Sequence, residues 1–207
     1  WQFPRPQELE TKAVPLSTHG FTSTYWLYLG AVGLVAAGYA DFPLMAYHFG
    51  KQEVVAPNQI ALLYALAMGT DALGALLLGR LFDRIGFATL ALATLISAGF
   101  APLAFLGGFG GAVTGAILWG IGMSAQESVM RAAVAQLVPA ERRGTGFGVF
   151  HTGYGVAWFV GSAWMGWLYD RSVLGLVAFS VALQMAALAV FLILARRHGG
   201  AHPVSAP

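Results

Sequence analysis

The sequence predicts an all-α membrane protein in which six transmembrane helices form two inverted three-helix repeats. The chain of 207 residues is 57% hydrophobic and only 10% charged, and its mean hydropathy is +0.68. Soluble domains carry about 25% charged residues, so this composition indicates an integral membrane protein. Apolar runs separated by short turns supply the six spans, since about 20 apolar residues cross the hydrocarbon core. An internal echo in the sequence indicates the repeat.

The first three predicted helices cover residues 25–47, 59–81 and 87–106. The first opens with Tyr25 and Trp26, aromatic residues that are typical of the membrane interface. A polar loop around Lys51 separates it from the second helix. Two apolar runs then flank residues 79–87, a charged turn closed by Gly86, and this is the pattern of a transmembrane hairpin.

The last three predicted helices cover residues 112–137, 145–169 and 173–195. A glycine-rich turn at residues 107–111 precedes the fourth helix, and Pro139 stops it because proline has no N–H to donate. Asp170 lies in the turn between the fifth and sixth helices, and Arg196 and Arg197 follow the last apolar residues.

The chain divides into a linker, a bundle and a tail. Residues 1–22 are polar, contain three prolines and are predicted to be a cytoplasmic linker. Residues 23–198 form the predicted six-helix bundle, and residues 199–207 form a cytoplasmic tail. Because the chain starts at Trp1 and no apolar signal segment precedes the first helix, we expect a fragment or a processed chain.

Lysine and arginine residues set the predicted orientation. Six spans place both termini on one side, and that side collects Arg5, Lys12, Arg80, Arg84, Arg142, Arg143, Arg196 and Arg197. The opposite side has only Lys51 and Arg171. Positively charged loops remain in the cytoplasm. Both termini and residues 79–87 are therefore predicted to lie on the cytoplasmic side of a bacterial inner membrane.

Two short stretches carry a family resemblance. Residues 79–87 read Gly-Arg-Leu-Phe-Asp-Arg-Ile-Gly-Phe, and a partial echo lies 87 residues later at 166–171, Gly-Trp-Leu-Tyr-Asp-Arg. The first stretch resembles the signature loop of the major facilitator superfamily (MFS) of secondary transporters. The echo resembles the inverted repeats inside each MFS half. Residues 138–148 also resemble the loop between the fourth and fifth helices of an MFS C-terminal half.

The resemblance covers about residues 25–197 and implies the C-terminal six-helix half of a twelve-helix carrier. It implies that the missing N-terminal half is the main protein partner within the lipid bilayer. It also implies a cytoplasmic gate loop whose residues are Gly79, Arg80, Asp83, Arg84 and Gly86. The implied function is proton-coupled transport of a small organic solute by alternating access, and not catalysis.

Ionisable residues fall on the first, second, fourth and fifth predicted helices. They are Asp41, Asp71, Glu127, Arg131 and His151. A charge at mid-membrane costs about 2.5–3.5 kcal/mol on insertion scales, so these side chains should face protein or water. The third and sixth helices carry no ionisable residue and are predicted to face lipid. MFS halves share this arrangement.

Each acid allows more than one role. Glu127 and Arg131 have i, i+4 spacing, which predicts either an ion pair on one helix face or part of a substrate or proton pathway. Asp71 lies 12 residues before Asp83, roughly 18 Å along the helix and therefore near the midplane. Asp41 either holds a contact between helices or binds a ligand. Of these three acids, two lack a partner cation in this chain. They are therefore protonated, hydrated or paired with a cation elsewhere, and the protonated state is the one that a proton-coupled carrier uses.

An aromatic stripe on the fifth helix completes the predicted site. Phe147, Phe150, His151, Tyr154 and Trp158 follow helical spacing. Such a stripe packs in a core or, where it borders a cavity, stacks on an organic substrate. The predicted substrate and proton pathway is Asp41, Asp71, Glu127, Arg131, His151, Tyr154 and Trp158.

Other functional classes find less support. The net charge of +2 is too small to indicate a nucleic-acid partner, and neither cysteine nor a His-Glu-x-x-His motif is present, so no metal site and no cofactor is predicted. Ser124 and His151 leave a rhomboid-like intramembrane protease as an alternative, although the sixth helix has no histidine. A non-transporting six-helix subunit or homodimer is the other alternative.

Overall fold

The computed structural model of the chain describes residues 20–198, and the regular elements in that range are all helical. They are α1 (Ser23–Gly38), α2 (Phe42–Lys51), α3 (Pro57–Ile85), α4 (Phe87–Ser97), α5 (Phe100–Leu106), α6 (Phe109–Ser124), α7 (Met130–Leu137), α8 (Arg143–Arg171) and α9 (Val173–His198). A π turn (Ala125–Val129) joins α6 to α7, and a 3₁₀ turn (Ala140–Arg142) precedes α8. The predicted tail and residues 1–19 of the predicted linker lie outside the described residues.

Four helical segments are long and apolar enough to cross a membrane. They are Ser23–Lys51, Pro57–Ile85, Phe87–Leu106 and Val173–Arg197, which match the first, second, third and sixth predicted spans. The all-α membrane class is therefore confirmed. α8 has 29 residues and is long enough to cross at 1.5 Å per residue, but polar residues and glycines lower its hydropathy. That α8 and residues 109–137 also span the membrane stays a prediction.

The contacts between helices repeat with a two-fold pattern. α3 packs on α6 as α8 packs on α1, and α4 and α5 pack on α6 as α9 packs on α1. α4 and α9 also pack against each other. Pro57 and Arg143 begin two helices of 29 residues each and are 86 residues apart, close to the 87-residue offset of the sequence echo. This symmetry agrees with two inverted repeats.

The first predicted helix is broken at residues 39–41, where the sequence predicted a continuous helix. The carbonyl oxygen of Gly38 accepts a hydrogen bond from Ser180 Oγ at 2.6 Å, and that of Ala40 accepts one from Trp119 Nε1 at 2.9 Å. Non-helical backbone is tolerated at membrane depth only where protein or water satisfies its polar groups. Side chains from α6 and α9 therefore make the break possible.

The predicted gate loop is mostly helical, which corrects the predicted end of the second helix near residue 81. α3 continues to Ile85 and ends at Gly86, whose φ of 55° lies in the left-handed region that favours glycine. At about 1.5 Å per residue a helix of this length exceeds the hydrocarbon core, which is about 30 Å thick. The charged last turns can therefore extend beyond the hydrocarbon while they remain helical.

Single cysteines are expected to report the orientation without background, because the chain contains none. A cysteine at Gln52, an exposed residue after α2, should react with an impermeant thiol reagent added outside intact cells. One at Arg143, an exposed residue at the start of α8, should react only after permeabilisation. The cysteine-free parent is the control, and the reverse labelling pattern would overturn the predicted cytoplasmic termini.

Candidate functional site

α8 presents a continuous ladder of rings. The ring centroids of Phe147 and His151 are 6.2 Å apart, and those of Phe150 and His151 are 5.1 Å apart. Phe150 and Tyr154 follow at 6.1 Å, and Tyr154 and Trp158 at 5.5 Å. The predicted common stripe is therefore present as direct ring-to-ring contact along one helix face.

The fourth predicted helix widens into the π turn at residues 125–129. Its backbone N–H groups bond further back along the chain than in an α-helix, which leaves carbonyl oxygens in need of donors. Ser124 Oγ, Gln126 Nε2 and Ser128 Oγ donate to the carbonyl oxygens of Ile121, Gly122 and Ser124. These local side chains stabilise a turn that hydrophobic periodicity alone did not predict.

The π turn, α7 and the aromatic ladder enclose a cleft of about 50 Å³. It is lined by Gln126, Glu127, Arg131, Phe150, His151, Tyr154 and Trp158. Every predicted pathway residue of the fourth and fifth helices is thus in one place. Gln126 was missed, although its position beside Glu127 on a helix predicted to be membrane-embedded could have indicated it. Its Oε1 accepts a hydrogen bond from the Tyr154 hydroxyl at 3.0 Å and fixes that ring.

The ion pair between Glu127 and Arg131, one of the two roles that their spacing allowed, is not formed. Both side chains are exposed at the cleft, and the part of the chain that the structure describes contains no ion pair between them within 4.0 Å. The i, i+4 rule assumes α-helical geometry, and the π turn that contains Glu127 changes the rotation between the two positions. The acid and the cation of this cleft are therefore each open to another group.

Asp41 lies at the break between α1 and α2 and bonds to α8. Its Oδ1 accepts a hydrogen bond from Trp158 Nε1, and its Oδ2 accepts one from Ser162 Oγ at 2.7 Å. Asp41 makes no side-chain cap on α2, although it occupies the N-cap position. A second, open cleft of about 290 Å³ is lined by Asp41, Gly155, Trp158, Phe159 and Ser162. Ser162 was missed by the sequence analysis, although it follows Trp158 by one helical turn.

Asp71 lies where α3 crosses the π turn. Its Oδ1 is buried and has no hydrogen-bond partner among residues 20–198. Glu127 is close enough to interact with it electrostatically. Helix contact here is tight, since a Cβ on Gly74 of α3 would lie 2.5 Å from Ser124 Oγ. The structure therefore places Asp71 near Glu127 but not among the residues that line the cleft of Glu127 and Arg131.

Asp41 and Glu127 occupy equivalent places in the two repeats. They are 86 residues apart, as are the first residues of α3 and α8. Asp41 ends the break in the first repeat, and Glu127 lies in the π turn of the second. One acid receives two donors from α8, whereas the other faces the cleft with Asp71 nearby.

The predicted gate residues lie apart from both clefts, at the end of α3. Arg80 Nη1 donates to the Leu76 carbonyl oxygen at 3.2 Å. Asp83 and Arg84 are exposed, and neither makes an ion pair within residues 20–198. Gly79 and Gly86 have open space where a Cβ would lie, so close helix packing does not explain either glycine.

The described part of the chain brings together neither a metal-ligand cluster nor the Ser124 and His151 pair that the protease alternative requires. Residues 20–198 contain no group of three or more histidine, cysteine, aspartate or glutamate side chains that could hold a metal ion. Ser124 is fully buried, and its hydroxyl donates to the Ile121 carbonyl oxygen at 2.6 Å. His151 stacks on Phe147 instead of accepting a proton from that serine. A nucleophile and base would need hydrogen-bond contact, which this pair lacks in the structure.

Long apolar helices, a broken span and ionisable groups gathered at one face define a helical membrane protein with a polar cleft. The chain belongs to the Major Facilitator Superfamily, whose family model matches residues 17–207. This confirms the resemblance carried by residues 79–87 and 138–148. Uncharacterized proteins of Mycobacterium tuberculosis and Mycobacterium bovis are each 36% identical to it over 191 residues, which is 89% of this chain and 47% of the relative. The chain spans about half the length of the curated relatives that it matches.

Proposed function

We propose that this chain is the C-terminal six-helix half of a secondary transporter in a bacterial inner membrane, with both termini in the cytoplasm. The transporter would move a small organic solute by alternating access and couple that movement to protons. Membership of the Major Facilitator Superfamily supports transport as the general activity. The single observation that carries the proposal is the cleft in which Glu127, Arg131 and the ring ladder of α8 converge.

The cleft supports transport because it is built as one wall of a cavity. Glu127, Arg131 and His151 are exposed at its rim in the chain alone. α3 and α8 also expose large apolar side chains, among them Leu73, Leu76, Leu77, Phe159 and Val160. Each charged group left against lipid would cost about 2.5–3.5 kcal/mol on insertion scales. A second six-helix half would supply the opposite wall and place the site near the midplane.

The irregular backbone supports alternating access. Secondary transporters commonly bind their substrates beside discontinuous helices at the interface of structural repeats. Here the break at residues 39–41 and the π turn at residues 125–129 lie at equivalent places in the two repeats. Both irregular segments border a cleft through Asp41 or Glu127. They are therefore suited to respond when the two halves rock against each other.

Asp71 and Glu127 are the proposed proton carriers. Asp71 has a buried oxygen without a partner in residues 20–198, and Glu127 has no ion pair within the same residues. Two carboxyl groups close together in a medium of low polarity favour a shared or bound proton over two negative charges. Opening the cleft to one side and then the other would expose that proton to each aqueous phase in turn.

The proposal predicts that this chain does not transport alone. Proteoliposomes containing the chain together with the six helices of an N-terminal half are expected to show solute-dependent proton movement across a panel of organic acids, amines and sugars. Proteoliposomes with the chain alone should show no solute-dependent proton movement. The chain should also self-associate in them, because its polar face lacks the wall that the second half would supply. Saturable solute-driven proton movement by the chain alone would contradict the proposal, unless cross-linking showed that it works as a homodimer with the Asp71 faces opposed.

A further inference from the structure

We propose that the cleft binds a planar organic anion, with the anionic group on Arg131 and the ring against the aromatic ladder of α8. This inference rests on the proposed transport function and names its substrate class. The ladder comprises Phe150, His151, Tyr154 and Trp158, which line the cleft together with Arg131. A carboxylate attached to an aromatic ring, directly or through a short linker, is the simplest ligand that satisfies both parts.

Arg131 is the group that selects an anion. It lies on α7 directly after the π turn, and its side chain is exposed at the cleft. Within residues 20–198 its guanidinium has neither a carboxylate partner within 4.0 Å nor a hydrogen bond. The planar guanidinium fork matches a carboxylate in two parallel hydrogen bonds, and such charge-assisted pairs are the strongest that a side chain offers.

The other charged groups around the cleft compete unequally for Arg131. Both carboxylate oxygens of Asp41 already accept donors from α8. Asp71 lies on α3 outside the lining residues, with one oxygen buried between helices. His151 lines the cleft with its ring stacked on Phe147. Glu127 is therefore the one carboxylate among the described lining residues that shares the cleft with Arg131.

This placement links the anion to a proton. A charged Glu127 would repel an incoming carboxylate on Arg131, because the two negative charges would share one cleft. Protonation of Glu127 removes that repulsion, so the anion binds best when this acid carries a proton. Each anion would then cross with one proton, and the loaded site would carry the positive charge of Arg131 balanced by the substrate.

The ring part of the ligand has a rigid partner. Gln126 Oε1 accepts from the Tyr154 hydroxyl, and the Trp158 indole N–H donates to Asp41, so two rings of the ladder are held from neighbouring helices. Fixed aromatic faces bind planar groups with little loss of side-chain freedom. A flexible aliphatic anion would satisfy Arg131 but would gain less from the ladder.

The test uses the protein with both six-helix halves and three probes that share one scaffold: phenylpropionate, phenylpropylamine and phenylpropanol. Titration calorimetry in detergent should detect phenylpropionate as the strongest of the three. Arg131→Gln should weaken its binding roughly tenfold or more, since a hydrogen bond to a charged group is worth that much. Arg131→Lys should retain part of the affinity, and Arg143→Gln, an exposed arginine at the cytoplasmic end, is the matched control.

The proton link has its own readout in the same titrations. Phenylpropionate affinity should fall as the pH is raised, because loss of the proton from Glu127 restores its repulsion of the anion. Glu127→Gln should bind the anion at every pH with that dependence lost. Equal binding of the amine or the alcohol, an unchanged affinity in Arg131→Gln, or no binding of phenylpropionate at all would each overturn the anion assignment. Binding of the amine or the alcohol would leave the cleft itself in place as a transport site.

Discussion

Replacing Glu127 with glutamine is expected to abolish the accumulation of substrate against its gradient while exchange of substrate across the membrane continues. One proton carried with each solute can sustain about tenfold accumulation for each pH unit of gradient. Glutamine keeps the size of the side chain but cannot release a proton, so the inside and outside concentrations should become about equal. Uptake and counterflow in proteoliposomes with both halves, with and without a pH gradient, measure the two activities separately.

Asp71→Asn tests whether the proton is shared. Because Asp71 interacts electrostatically with Glu127 but lies outside the cleft lining, its loss is expected to weaken the accumulation and to leave substrate affinity close to that of the parent. Glu53→Gln and Asp170→Asn are matched neutralisations at exposed positions near helix ends, and both should behave as the parent does. Parent-like accumulation in both Glu127→Gln and Asp71→Asn would show that protons are not coupled through this half.

The largest effect on stability is expected from Gly161→Ala. A Cβ at this position would overlap the backbone of Ala37 on α1, closer than real Cβ atoms approach. Forcing an extra methyl group into a packed contact costs about 1–3 kcal/mol, and backbone cannot move aside as a flexible side chain can. Ser162 and Trp158 lie on the same stretch of α8, so separating α1 from α8 should also weaken their hydrogen bonds to Asp41.

The measurement is the thermal unfolding midpoint of the purified protein in detergent. Gly166→Ala on the same helix is the matched control, because a Cβ there meets nothing within 4 Å. That control should be neutral or should stabilise the protein slightly, since alanine favours helix more than glycine by about 0.8–1.0 kcal/mol. A Gly161→Ala protein that melts with the control would show that α1 and α8 are not in close contact at this point.

Much of the bundle could be predicted from the sequence because the relevant signals are local. Apolar runs in the sequence predicted the four helical segments that are long and apolar enough to cross a membrane. Residues 79–87 indicated the family. The ring ladder followed from the spacing of Phe150, Tyr154 and Trp158, since helical periodicity alone places such residues on one face. The gathering of Glu127, Arg131 and His151 in one cleft was predicted from charge on membrane-embedded helices.

The differences between the sequence predictions and the structure have separate physical causes. An ion pair of Glu127 with Arg131, one of the two roles that their spacing allowed, required α-helical rotation, which the π turn changes. The end of α3 was placed too early, because charged residues were taken to mark a loop, whereas a long helix can extend its last turns beyond the hydrocarbon. Gln126 was missed because an uncharged polar residue gives no strong sequence signal.

By itself the sequence determined that this protein is a helical membrane protein of a particular family, and on which helices its ionisable groups lie. Those properties depend on residue identity and spacing along one chain segment. Only the tertiary structure decided where the first span breaks and what Asp41 binds. The donors that permit the break, Trp119 and Ser180, are 79 and 142 residues from the carbonyl groups that they satisfy, and Trp158 is 117 residues from Asp41. A buried backbone group can leave a helix only where folding brings such a partner to it, and local sequence does not contain that information.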